Sequence, residues 1–137
     1  SKFLELEITE SLFIDDSEFI KDQVCDISTK GVNIAIDDFG TGYSNLNYLT
    51  KFYARTLKVD MSFVKDMQAS IQKENLVAAI IKMSMMMELE NTAEGIEDNV
   101  SYKKLREMGC QYGQGYYWCH PMPNSHFIEK VKNWKIN

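Results

Sequence analysis

Glu7, Asp37, Lys58, Glu94 and Gln114 each stand near the C-terminal end of a strand-like run, and Asp38 adjoins Asp37. Side chains alternate faces along a strand, so the runs themselves decide where these groups point. Leu4, Leu6 and Ile8 share one face and leave Glu5 and Glu7 on the other. In the same way Ile34 and Ile36 oppose Ala35 and Asp37, and Leu57 and Val59 oppose Thr56, Lys58 and Asp60. With helices covering the aliphatic face, the polar groups collect at one mouth. Four converging carboxylates, Glu7, Asp37, Asp38 and Glu94, repel one another unless they are protonated or neutralised by cations. All the donors are oxygens, which suits hard divalent ions such as Mg2+ or Mn2+ better than zinc. Two such ions bridged by an aspartate activate water and stabilise a phosphoryl oxygen, and Lys58 adds positive charge nearby. Phosphodiester hydrolysis is the leading reaction class. Taken singly, an acidic residue at a strand end is more simply a helix cap or a solvated loop residue; several on one face are harder to explain that way.

The elements that must position these residues alternate along the chain. Strand-like runs are expected at Phe3 to Ile8, Val32 to Asp38, Thr56 to Asp60, Thr92 to Ile96 and Tyr112 to Trp118. Between them, Ile20, Val24 and Ile27 recur with helical spacing before a stop at Gly31. A glycine-containing turn through Gly40 and Gly42 leads to a short helix carrying Leu46 and Leu49. A long helix is expected from about Glu74 to Leu89, with Leu76, Val77, Ile80, Ile81, Ser84, Met87 and Glu88 on one side. Tyr102, Leu105 and Met108 mark a helix from Asn99 that Gly109 ends, and Phe127, Val131 and Trp134 mark a last one with Ser125 as N-cap. The expected fold is α/β: about five strand-helix units of a partial (β/α)8 TIM-type barrel, since a whole one needs ~250 residues. An open doubly wound sheet is the competing architecture.

The 137 residues suffice for one domain at most, and 45% hydrophobic with 26% charged residues is a globular composition. Fifteen basic and twenty acidic residues give a net charge of −5, and the basic ones are scattered, which argues against duplex nucleic acid as a partner. No apolar run is long enough to span a bilayer, so no membrane contact by this segment is expected. Three widely spaced cysteines, Cys25, Cys110 and Cys119, point to reduced thiols and a cytoplasmic setting, although a parent protein can be membrane-anchored through another domain. The opening Ser1-Lys2-Phe3-Leu4 runs straight into a strand and reads as a cut rather than a natural start.

Five ordered motifs carry a resemblance that covers essentially the whole chain. They are Leu4-Glu5-Leu6-Glu7-Ile8-Thr9-Glu10; Asp37-Asp38-Phe39-Gly40-Thr41-Gly42-Tyr43-Ser44; Leu57-Lys58-Val59-Asp60 followed by Ser62-Phe63-Val64; Ala93-Glu94-Gly95-Ile96-Glu97; and Gln114-Gly115-Tyr116 with Pro121 and Pro123. In that order they resemble the C-terminal part of an EAL-type cyclic di-GMP phosphodiesterase domain. The resemblance implies a modified β/α barrel whose first strand runs antiparallel to the others, with residues 1–137 as its C-terminal part and the N-terminal strands absent. It implies that Glu7, Asp37, Asp38 and Glu94 hold two Mg2+ or Mn2+ ions, and that Lys58, Glu94 and Gln114 act on the attacking water. Glu10, Glu97 and Asp60 would support them from behind, Glu10 anchoring the Asp37 to Ser44 loop. Gly115, Tyr116 and Pro121 would face the substrate, cyclic di-GMP, which is hydrolysed to linear pGpG.

The departures from the family pattern also matter. No Glu-Ala-Leu string occurs, and the family's asparagine ligand lies upstream of these residues, so the piece alone is expected to be inactive. Its exposed strand edges predict a homodimer, aggregation or survival as a trimmed remnant of a longer polypeptide. Arg55, Met61, Asp98 and His120 replace residue types common in the family, which bears on substrate grip more than on metal binding. The alternative function is a degenerate domain that binds cyclic di-GMP or a protein partner without catalysis; a loop-mediated dimerisation scaffold is compatible with either. Asp38-Phe39-Gly40 lacks the companion motifs of a kinase, and the C-x8-C-H-x5-H spacing from Cys110 to His126 lacks the close pair of a zinc knuckle. Tyr116, Tyr117 and Trp118 read as core residues before they read as a guanine stack.

Overall fold

A computed structural model of the chain describes residues 4–9, 18–41 and 53–134. Their elements follow in the order β1 (Glu5–Thr9), α1 (Glu18–Thr29), β2 (Asn33–Phe39), β3 (Thr56–Val59), α2 (Met61–Asp66), α3 (Ile71–Met86), β4 (Glu90–Ala93), α4 (Asn99–Met108), β5 (Tyr112–Gly113) and α5 (Asn124–Lys132). The five strands form one sheet in the order β1-β2-β3-β4-β5, and every neighbouring pair is parallel. Parallel neighbours require a crossover, which helices supply. Strands adjacent both in sequence and in space make the curving wall of a β/α barrel, not the reversed order of an open doubly wound sheet. Glu10, the short helix around Leu46 and Leu49, and the loop from Gly42 to Ser44 lie outside the described residues.

The core lies between sheet and helices. Ile34, Ile36, Leu57 and Val59 project from the sheet onto Val24, Val77, Ile81 and Leu105 of the helices, and all are buried. β1 departs from the expected pattern: Ile8 is buried, but Leu4 and Leu6 are exposed, because β1 lies at one edge of the described sheet. A second correction concerns α3, which starts and ends earlier than the apolar spacing suggested. The Ser70 side chain accepts from the Lys73 amide at 3.3 Å and caps the helix ahead of its first core residue. Leu76 is exposed, and Val77, Ile80, Ile81 and Ser84 form the buried stripe.

β4 begins two residues before the expected Thr92, since the Glu90 amide donates to the Arg55 carbonyl at 2.8 Å and opens the ladder there. β5 is two residues long, not seven, because the chain turns back: the Tyr117 amide donates to the Ile96 carbonyl at 2.9 Å. Gly115 makes this turn possible, as a Cβ there would lie 2.1 Å from the Ile96 carbonyl oxygen. α4 matches its expected bounds, with Gly109 as its left-handed terminator. The N-cap position of α5 is Pro123, without a side-chain cap, and not Ser125; Phe127 and Val131 remain exposed on the helix and Trp134 beyond its end. α2 was not anticipated; Asp60 caps it through the Ser62 amide at 3.0 Å.

One polar clip ties the helix layer to the sheet. Fully buried Asn91 donates through Nδ2 to Ser84 Oγ at 3.1 Å, and that hydroxyl donates to the Ile81 carbonyl at 2.7 Å. The Asn91 amide donates to Gln111 Oε1 at 3.0 Å, and the Gln111 amide returns a bond to Asn91 Oδ1 at 2.8 Å. Removing the amide side chain strands buried donors and acceptors, each worth about 1–3 kcal/mol. Asn91→Ala is therefore expected to lower stability by about 1–3 kcal/mol in urea unfolding of the chain. An unchanged midpoint would mean that water replaces the clip.

Candidate functional site

Three adjacent strands present polar groups on the face away from the helices. Lys58 projects from β3, whose residues are all buried, and its Nζ meets Glu7 Oε1 of β1 at 2.7 Å and Asp37 Oδ1 of β2 at 3.0 Å. The third partner, Glu94 Oε1 just beyond β4, is at 2.8 Å. Each oxygen lies within 3.0 Å of one nitrogen, so the three carboxylates necessarily lie within twice that distance of one another. The Lys58 side chain is 7% exposed, that of Glu7 51%, so the cluster opens toward solvent on the β1 side. Burial opposes the charge on Lys58, yet hydrogen bonds to Glu7, Glu94 and Asp37 outweigh it and raise its pKa well above the ordinary lysine range.

Local irregularities aim the acidic groups. Ile36 pairs with Leu57 and Phe39 with Val59, so β2 carries one extra residue across the Asp37-Asp38 step. This bulge returns Phe39 to the core while both aspartates stay near the mouth. Asp38 adopts φ 55°, and its amide donates to Asp37 Oδ1 at 3.0 Å. Desolvation, then the charges of Asp37 and Asp60, raise the Asp38 carboxyl above its usual range. Burial works against ionisation of Asp60, but the hydroxyl and amide of Ser62, the Met61 amide and Asp38 together hold it below the usual range. After Glu94 the chain turns at Gly95, φ +68°, where a Cβ would lie 2.6 Å from that of Met61.

The sequence-derived residues thus fall into three groups. Glu7, Asp37, Glu94 and Lys58 meet at one point; Asp38 and Asp60 pair beside it; Glu94, Gln114, Gly115, Tyr116 and Pro121 line an adjoining cleft of about 770 Å3. Glu94 belongs to both the ion cluster and the cleft. Glu97 also borders the cleft, in an ion pair with Lys65 at 3.1 Å. Met61, already singled out for substrate grip, lines it too, and so do Lys65 and Phe127; these last two were missed, because they come from α2 and α5, whose approach to the mouth no strand periodicity encodes. As a metal site the donor set fits in type, being hard oxygens gathered at one point. Among the described residues, however, no group of three carboxylates is closed around a metal-sized position, since the oxygens stand at ammonium distances from Lys58.

The four departures have local partners. Arg55 pairs with Glu90 at 3.0 Å, Met61 packs on Gly95, and His120 lies over Tyr116 with ring centroids 4.1 Å apart. Asp98 caps α4, its Oδ1 accepting from the Val100 and Ser101 amides, both at 2.8 Å. The Ser101 amide leads the bonds that hold the Asp98 carboxyl below its ordinary value of 3.8. A depressed folded pKa contributes stability that is present above the unfolded value and lost as pH falls through the folded one. Asp98→Ala is expected to cost about 1 kcal/mol at neutral pH, and its deficit relative to the parent should shrink as pH drops below 3.8. Denaturant midpoints at pH 7 and pH 3 check this; a deficit that is constant with pH would remove the charged cap.

Residues 1–121 match the EAL domain family. The chain is 38% identical over 130 residues to the signaling protein YkoW of Bacillus subtilis, a match covering 95% of this chain and 16% of that protein. It is 36% identical over 131 residues to the cyclic di-GMP phosphodiesterase PA2567 of Pseudomonas aeruginosa, covering 96% of this chain and 22% of that protein. Among solved structures, the PaMucR phosphodiesterase in complex with c-di-GMP superposes with a TM-score of 0.85 at 35% identity over 90% of this chain and 50% of that one. The EAL enzyme Bd1971 in its cAMP-bound form superposes with a TM-score of 0.91 at 34% identity, over 96% of this chain and 35% of that one. The chain therefore spans about a sixth to a fifth of the length of these curated relatives.

Proposed function

This chain belongs to the EAL domain family, and from that premise we propose that residues 1–137 form the C-terminal part of a barrel domain that hydrolyses cyclic di-GMP to linear pGpG. The observation that carries the reading is Glu94, which joins the Lys58 carboxylate cluster to the cleft. A phosphodiester held in that cleft by its nucleobases presents its phosphorus to the cluster. Relatives named as cyclic di-GMP phosphodiesterases and a c-di-GMP complex among the structural neighbours support the substrate.

Glu7, Asp37, Asp38 and Glu94 are the residues that would hold two Mg2+ or Mn2+ ions, with further ligands contributed from outside these residues. When bound, the ions supply Lewis acidity, making water more acidic and neutralising charge on the phosphodiester. Lys58 keeps its proton and places positive charge where negative charge develops on a phosphoryl oxygen. Water adds to phosphorus, one ester P–O bond breaks, and the departing ribose oxygen takes a proton. Gln114 holds the attacking water from the cleft side, while Asp60 and Glu97 steady the wall through α2. Gly115 lets Tyr116 and Pro121 approach the substrate. The reading includes a cytoplasmic setting and a homodimer.

Calorimetric titration of Mn2+ is expected to give saturable binding to the chain and binding weaker by more than about tenfold to Asp37→Asn. Equal binding by both would remove Asp37 from the metal centre. A longer chain that includes the preceding strands should convert cyclic di-GMP to pGpG; tight binding without turnover would point to a sensor.

A further inference from the structure

An ammonium group has three hydrogens to donate, and Lys58 has three carboxylate acceptors at 2.7, 3.0 and 2.8 Å, from Glu7, Asp37 and Glu94. Its hydrogen-bonding capacity is thus filled by the oxygens that the proposed metal centre requires. Magnesium takes its oxygen ligands at about 2.0–2.1 Å, closer than any of these three contacts. The carboxylates cannot stay at ammonium distances and close around such an ion as well. The Lys58 backbone is fixed in β3, whose residues are all buried, so any release is a side-chain event.

We propose that Lys58 competes with divalent cations for the oxygens of Glu7, Asp37 and Glu94. It keeps three mutually repelling carboxylates convergent, and the same contact lowers their affinity for metal. The inference rests on the metal-centre reading and adds to it a built-in threshold: occupancy begins only when the cation outcompetes the internal ammonium. Before that point Lys58 is tied to the carboxylates; after it, the amine is free to face the phosphodiester. Filling the site and releasing the side chain are one exchange.

Two measurements on the whole chain test this. In calorimetry, Lys58→Met is expected to bind Mn2+ at least about tenfold more tightly than the parent, as deletion of a unit charge a few ångströms from the ion predicts. Lys58→Arg, which keeps the charge, should stay close to the parent. Independently, in the parent chain, labelling of Lys58 by an amine-acylating reagent, read by peptide mass spectrometry, should rise on saturation with Mg2+ while exposed lysines keep their rate. If the parent binds Mn2+ and Lys58→Met binds no tighter, the competition is refuted and the metal centre stands. If neither binds, and a longer chain that includes the preceding strands does not bind either, the metal-centre reading falls and the proposal with it. Should Lys58→Met not fold, the labelling decides: a rise supports exchange, and an unchanged rate at saturating Mg2+ overturns it.

Discussion

A buried ammonium shared by three carboxylates is the constraint on which the polar face of this sheet depends. Isolating Lys58 from water is costly, and isolating acidic groups beside one another costs more. Each charge is tolerable because the others are present. Since Glu7, Asp37 and Lys58 come from β1, β2 and β3, and Glu94 follows β4, their meeting also fixes how these four strands align. The apolar layer on the other side holds the strands to their helices, whereas the ion cluster relates the strands to one another where chemistry is to occur.

Regular strands alone would not bring these groups together. The extra residue in β2 places two consecutive aspartates near the mouth, where an unbroken alternation would send one into the core. Gly95 folds the chain immediately after Glu94, so that this carboxylate stays over the end of the sheet and the following segment forms the cleft wall. Asp60 has two tasks at once: it caps α2, and its charge beside Asp38 helps to raise the Asp38 carboxyl above its usual range. The acidic residues beside the mouth therefore double as parts of the backbone framework.

Arg55, Asp98 and His120 lie around this centre and not within it. Arg55 is matched by Glu90, Asp98 by the amides that open α4, and His120 by the Tyr116 ring. None of the three breaks into the Lys58 cluster. His120 and Tyr116 border the cleft, so their contact shapes the surface a ligand meets.

Much of this was legible in the residue order. Period-two alternation identified Asp37, Lys58 and Glu94 as facing away from the helices, and Gly109 marked the end of α4, because capping is a local interaction; the Asp98 cap at its start was not read. Element bounds in β4, β5 and α3 were not legible: pairing partners and turns set them, through Arg55 and Glu90 in one case and Gly115 against Ile96 in another. Nor did any local pattern tell that Leu6 at a sheet edge stays exposed, or that α2 and α5 border the cleft. The sequence by itself determined which chemical groups are available and which face of each strand carries them, since both follow from covalent order and strand geometry. Only the tertiary structure decided that three of those carboxylates share one ammonium and that Asp38 turns to Asp60, because charges separated by tens of residues choose partners only once the chain has brought them within reach.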